Sequence, residues 1–234
     1  MTTVSAETLR TLHRLHEQLA ELRGQLDRAP KQIAVRRAAV TALNNDRNAA
    51  HEAVASARKA ADGKQLDVKS QEQKLEKWRG QLNAASSNQE YNTLKEQIAA
   101  TEMAASVLED ETLELLERID ELTAEAGRAD EHLAKGEDDY AAFEKQLKER
   151  LASCQADIAR LEADLKETEK QLSGDFVADY HRLVRGKGPD AMAPMEGGCC
   201  LGCGQSITAN MQSDLMLNKP TLCKSCGVLL YLPE

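Results

Sequence analysis

The chain has 234 residues and a net charge of −9, with 29% of residues charged and only 3% aromatic. Two Phe and one Trp are too few large apolar residues for an ordinary globular core of this length, and abundant Ala, Leu, Glu, Lys, Arg and Gln favour long helices instead. No run of roughly 18 apolar residues marks a membrane-spanning helix, and Met1 to Arg10 lacks the apolar stretch of a secretory signal, so a reducing cytoplasm is the expected compartment.

Taken in chain order, residues 1–173 read as a helical rod. Every seventh residue from Leu12 gives Leu12, Leu19, Leu26, Ile33, Val40, Arg47, Val54, Ala61, Val68, Leu75 and Leu82. Only Arg47 in this series is polar. The companion positions include Leu15, Leu22, Ala29, Leu43, Ala50, Ala57 and Trp78, interrupted by Arg36, Lys64 and Gln71. A sustained heptad of this kind is the signature of a coiled coil. Pro30 is expected to kink or break this arm, and Gly63, Gly127 and Gly136 to weaken the helices locally.

A second series runs from Tyr91 through Ile98, Ala105, Thr112, Ile119, Ala126, Leu133, Tyr140 and Leu147, with companions Leu94, Leu108, Leu115, Leu122, Ala129 and Phe143. Its phase then moves to Leu151, Cys154, Ile158, Leu161, Leu165 and Leu172. The four-residue steps Phe143, Leu147, Leu151 read as a stutter that locally unwinds a supercoil. Cys154 falls in the apolar series and reads as a small core residue.

Between the two series, Ser87 followed by Glu90 matches a capping box, the start signal of a helix. A turn near 84–90 bisects residues 1–173 into an antiparallel coiled-coil hairpin. Arms of roughly 80 residues would span on the order of 120 Å. Residues 1–85 carry 15 Lys/Arg against 10 Asp/Glu, whereas residues 86–173 carry 10 against 23, so the arms would attract each other side by side. A parallel homodimer of one interrupted helix is the alternative arrangement. The fold class is therefore mainly α, a long hairpin followed by a small C-terminal module.

Residues 174–234 form that second region. Asp175 to Arg185 reads as a short linker helix, Gly186 to Pro194 as a loop, and Met192 to Met195 as a short extended segment. Two Cys-x-x-Cys pairs follow, Cys200/Cys203 and Cys223/Cys226, each trailed by glycine, within a module core of 197–234. A two-residue turn lets both sulfurs of a pair reach one metal, and the glycine permits the positive φ such a turn needs. Four thiolates suit one structural zinc ion; a rubredoxin-like iron site uses similar knuckles and competes with it. Cys199 adjoins Cys200 and creates a register ambiguity, resolved toward Cys200 because Cys200/Cys203 repeats the second pair's spacing. Thr208 to Leu217 reads as a helical turn or two, and Leu222 and Val228 to Tyr231 as short strands. Together these make a zinc ribbon.

The chain resembles a bacterial family of coiled-coil hairpin proteins ending in a four-cysteine zinc ribbon. The resemblance rests on Asn88-Gln89-Glu90-Tyr91 with Leu94 and Glu96, on Gly198-Cys199-Cys200-Leu201-Gly202-Cys203, and on Cys223-Lys224-Ser225-Cys226-Gly227-Val228-Leu229-Leu230-Tyr231. The last stretch departs from the family's Cys-Pro-x-Cys-Gly-Arg-Ile-Leu-Tyr ending at Lys224 and Val228. The resemblance implies association with the enhancer-dependent sigma factor, with flagellar or type III export components, and in some cases with RNA.

Three function classes are thereby weighed. A non-enzymatic protein-binding adaptor could use the acidic arm, dense from Glu109 to Glu121 and at Glu137-Asp138-Asp139. A nucleic-acid-binding regulator could use the ribbon with His181, Arg182, Arg185 and Lys187 beside it, or Arg36 and Arg37. Yet Lys219 and Lys224 only balance Asp214 and Glu234, and phosphate contacts dominate such affinity. An enzyme is not expected, because no phosphate loop or nucleophile motif is present and no small-molecule substrate is implied. His13 and His16 lie about one turn apart and could share a metal, but read as exposed histidines.

Overall fold

The computed structural model describes residues 4–172, 174 and 176–233. Two long helices, α1 (Ala6–Asn83) and α2 (Asn88–Glu169), form a coiled-coil hairpin. A shorter helix α3 (Phe176–Lys187), a 3-10 turn (Gly188–Ala191), strands β1 (Met192–Glu196) and β2 (Cys199–Cys200), helix α4 (Ala209–Met216), and strands β3 (Thr221–Leu222) and β4 (Leu229–Tyr231) follow. The linker-helix expectation began at Asp175, which with Ser173 lies outside the described residues. The observed helix starts at Phe176 and runs two residues beyond Arg185. Contacts divide the chain into two units, Val35–Ala142, and Met1–Ala34 together with Phe143–Glu234.

Within Val35–Ala142, the heptad determines what is covered. From Val40 to Leu82 each seam position of α1 is buried or half-buried, and nearly all residues between them are exposed. From Leu94 to Tyr140 the α2 seam alternates three- and four-residue steps in the same way. Buried Thr101 and Thr112 hold two of those α2 positions, their hydroxyls donating to the Gln97 and Leu108 carbonyls at 2.8 and 2.6 Å. The polar interruptions of α1 meet acids from α2. Arg47 Nε lies 2.9 Å from Asp130 Oδ1, Lys64 Nζ 2.5 Å from Glu111 Oε2, and further along α1 Arg79 pairs with Glu102 at 2.6 Å. Hydrogen bonds from Arg47 and His51 hold the Asp130 carboxyl below its ordinary range.

As residue numbers rise along α1, those of their partners fall along α2, so the pairing is antiparallel within one chain. All of these pairs are substantially exposed, so solvent screens them and each contributes little. Burying a Val or Leu in the seam contributes about 1.5–3 kcal/mol. Apolar burial therefore stabilises the hairpin, and the ion pairs select register. At Gly136 an added Cβ would stand 2.5 Å from Leu43 Cδ1, so the missing side chain makes room for Leu43 in the seam.

The turn between the helices carries the capping signal with one change. The Glu90 amide donates to Ser87 Oγ at 3.2 Å, but the Glu90 carboxylate accepts from the Ser86 amide at 3.4 Å rather than from Ser87. The return bond reaches one residue further out than in the usual box.

The other unit holds the hairpin base and the C-terminal module. Ser5 caps α1, its Oγ accepting from the Thr8 amide at 3.1 Å. Leu15, Leu19 and Leu161 pack together, and Cys154 is buried with its sulfur 3.7 Å from Gln25 Oε1. Buried and half-buried positions step by four through Phe143, Leu147 and Leu151, carrying the stutter. Of the kink or break expected at Pro30, the break does not occur: α1 is continuous from Ala6 to Asn83. Pro30 is exposed beside buried Ala29, so its ring lies off the packed face, and the apolar seam holds the helix together.

Candidate metal centre

Four short strands in the order β2-β1-β4-β3 carry the cysteines. β1 runs parallel to β4, with Met192 opposite Leu229, and antiparallel to β2, with Met195 opposite Cys200; β3 pairs antiparallel to β4. Alternation along β4 sends successive side chains to opposite faces. Leu229 and Tyr231 join Met192, Tyr180, Phe176, Leu12 and Leu9 in the core at the hairpin base. Leu230, with Val228, joins Ala193, Met195, Ile207, Met211 and Leu215 around Cys200 and Cys223. Both leucines are fully buried.

Each cysteine pair sits on a knuckle closed by backbone bonds. The Gly204 amide donates to the Cys200 carbonyl at 2.7 Å, and the Gly227 amide to the Cys223 carbonyl at 2.8 Å. Gly204 and Gly227 have φ of 76° and 70°, values that L side chains rarely adopt. The spacing rule read from the sequence is thus a backbone requirement, repeated twice.

The Sγ atoms of Cys200, Cys203, Cys223 and Cys226 all lie within 4.8 Å of one another and can hold a metal ion. Across the two knuckles, Cys200 stands 3.8 Å from Cys226, and Cys203 3.8 Å from Cys223. None of the six cysteines forms a disulfide. Cys199 is outside the convergent group: it pairs with Glu196 and bridges to Ser206, and neighbours along a strand point to opposite faces.

The protein electrostatics around the sulfurs are uneven. Burial pushes the Cys200 thiol up to about 12, against hydrogen bonds from the Gly202 and Cys203 amides. Burial also acts to raise Cys223, yet the Cys226 and Ser225 amides and the adjacent thiols bring it down to about 7. Burial raises Cys226. Amides aimed at sulfur favour the thiolate, the form that binds metal.

His13 and His16 are not exposed histidines; each ring is hydrogen-bonded to a tyrosine hydroxyl. Both are half-buried where α1 meets the module. His13 Nδ1 lies 2.9 Å from Tyr231 Oη and its Nε2 3.4 Å from Glu17, while His16 Nε2 lies 2.6 Å from Tyr180 Oη. Their tyrosine partners are far away in sequence, so the chain alone gave no signal for them.

Burial lowers the His16 pKa, helped by His13, Arg23 and His181 and opposed by Glu169. The unfolded chain therefore takes up a proton at a higher pH than the folded one does. His16 contributes stability above its unfolded value of about 6.5, and that contribution is lost as pH falls below it. Denaturant midpoints measured at pH 7.5 and 5.5 are expected to drop on acidification more in the natural chain than in His16→Gln. Equal drops would remove His16 as the cause.

The fold and this site together define a helical-hairpin protein followed by a small strand module in which four convergent cysteines could hold a metal ion. Residues 9–188 match the model of the CT398-like coiled coil hairpin domain, and the chain belongs to that family. The match ends before the four convergent cysteines, so their grouping rests on its own geometry. Over the full length the fold is similar to that of CT398 from Chlamydia trachomatis, with TM-score 0.77, 16% identity and 97% of each chain covered. It is also similar to a structurally characterised protein from Mycobacterium smegmatis, with TM-score 0.61, 17% identity, and 98% of this chain and 99% of that one covered. No curated protein sequence matches the chain.

Proposed function

We propose that the chain is a non-enzymatic cytoplasmic adaptor in which one zinc ion closes the four-cysteine centre and the hairpin presents surfaces to protein partners. The observation that carries the metal assignment is the sulfur geometry. A tetrahedron of thiolates at about 2.3 Å from zinc has edges of about 3.8 Å, matching both cross-knuckle distances. Four protein thiolates leave no position for water, so zinc here stabilises the fold and activates nothing. Its folding role fits the module's small core.

The adaptor reading draws support from the acidic exterior of α2, where Glu109, Asp110, Glu114, Glu117, Asp120 and Glu121 are exposed. This favours a basic protein over nucleic acid, whose phosphates it would repel. Among the described residues no helix is long and apolar enough to cross a membrane. The family resemblance directs the partner search toward the enhancer-dependent sigma factor and flagellar or type III export components.

Metal analysis of the natively purified chain is expected to give one zinc per chain, and Cys223→Ser to lose it. Capture of cross-linked partners should recover proteins, with no salt-sensitive binding of RNA or DNA. Iron in place of zinc, or RNA retention that falls steeply with salt, would overturn the respective half of this reading.

A further inference from the structure

The geometry points to Lys187 as a charge-compensating and positioning residue of the metal centre, an inference that rests on the zinc reading. A zinc ion with four thiolates carries a net charge of −2, so its surroundings must offset two negative charges. The knuckle amides supply dipoles: Gly202 and Cys203 toward Cys200, Ser225 and Cys226 toward Cys223, and Val228 toward Cys226. None of them carries a full charge.

The cations of the C-terminal region are mostly committed elsewhere. Lys219 pairs with Asp214 at 3.0 Å, Arg182 with Asp179 at 2.8 Å, and Arg185 donates to the His181 carbonyl at 3.2 Å. Lys187 is different. Its Nζ donates to the Cys226 carbonyl and lies 3.9 Å from the place a Cβ on Gly227 would occupy. Among the described residues it forms no ion pair with a carboxylate. It is the last residue of α3, and Phe176 and Tyr180 of that helix are buried in the core at the hairpin base. The ammonium is thus delivered to the second knuckle by a helix that the knuckle does not itself build.

The contact also fixes one peptide plane at both ends. Lys187 holds its carbonyl, of Cys226, while its amide, of Gly227, donates to the Cys223 carbonyl at 2.8 Å. That plane separates the last ligand from the left-handed glycine, so its orientation sets where the Cys226 sulfur points. Lys187 therefore acts on the metal in two ways, as a positive charge beside a dianionic centre and as a clamp on the loop.

Charge and clamp are separable by substitution. Lys187→Arg keeps both, Lys187→Gln keeps a donor without charge, and Lys187→Met removes both. Cobalt affinity of the full chain, read from the thiolate-to-cobalt absorption band, is expected to hold for Arg, to fall about three-fold for Gln, the scale of a solvent-exposed charge, and to fall further for Met, which also loses the clamp. Zinc transfer to a chromogenic chelator should quicken in the same order, and raising salt should shrink the differences. Lys219→Gln, whose charge is tied to Asp214, should match the natural chain. Far-UV spectra of each variant establish that the helices are intact. Recovery of natural affinity by Gln would overturn the charge role, and natural affinity in Met would overturn the inference entirely. A natural chain that binds neither cobalt nor zinc would instead sink the zinc reading beneath it.

Discussion

Withdrawing the proposed zinc with a strong chelator is expected to unfold the cysteine module while the helices of residues 35–142 stay folded. The module's core is Ala193, Met195, Ile207, Met211, Leu215, Val228 and Leu230 around two of the cysteines themselves. So few apolar groups seldom offset the conformational entropy of ordering some forty residues, and zinc binding in comparable small domains supplies about 10–16 kcal/mol. Without metal the four sulfurs also become poor neighbours. Burial raises the Cys200 and Cys226 thiols, whereas nearby amides and thiols bring Cys223 down, so without the ion the four no longer act as one set. Residues 35–142 have their own apolar seam and no cysteine in it. Backbone amide spectra should therefore lose dispersion for residues 192–233, with helical circular dichroism largely retained. Dispersed module resonances in chelator would show that the core suffices without metal.

A second large effect should separate two adjacent leucines. Leu229→Ala and Leu230→Ala remove the same atoms from neighbouring positions, both fully buried, and each is expected to cost about 2–5 kcal/mol. Their consequences should differ. Leu230 lies in the core around the cysteines, so its loss should speed zinc transfer to a chelator. Leu229 packs with Leu9, Leu12, Phe176 and Tyr180, so its loss should loosen the hairpin base and leave the metal more slowly exchanging than Leu230→Ala does. Stability by denaturant and metal release by chelator, measured on both variants, decide the matter. Identical release rates would mean that the strand's two faces are not separate in energy.

Much of this architecture was legible in the chain because it rests on short-range rules. The seven-residue spacing of Leu12 to Leu82 selects which side of α1 is covered, and Ser87 with Glu90 starts α2. The knuckles repeat because a Cys-x-x-Cys turn followed by glycine is a local backbone solution. What escaped the sequence depends on distant partners. Pro30 is tolerated because its side of the helix faces water, which no local rule states. His13 and His16 meet Tyr231 and Tyr180 across more than 160 positions of chain, so polar contacts of this kind have no periodicity to betray them. Lys187 at the Cys226 carbonyl belongs to the same class.

The two-faced strand β4 imposes a rule of parity on the chain's end. Since alternate side chains enter different cores, inserting or deleting one residue between Cys226 and Leu229 would exchange the faces, turning Leu229 toward the sulfurs and Leu230 toward the helices. An even-numbered change would keep each leucine on its own side, at the cost of a bulge. Length variation among chains built on this plan should therefore avoid single-residue steps in that stretch, and tolerate them instead where the backbone serves only one core.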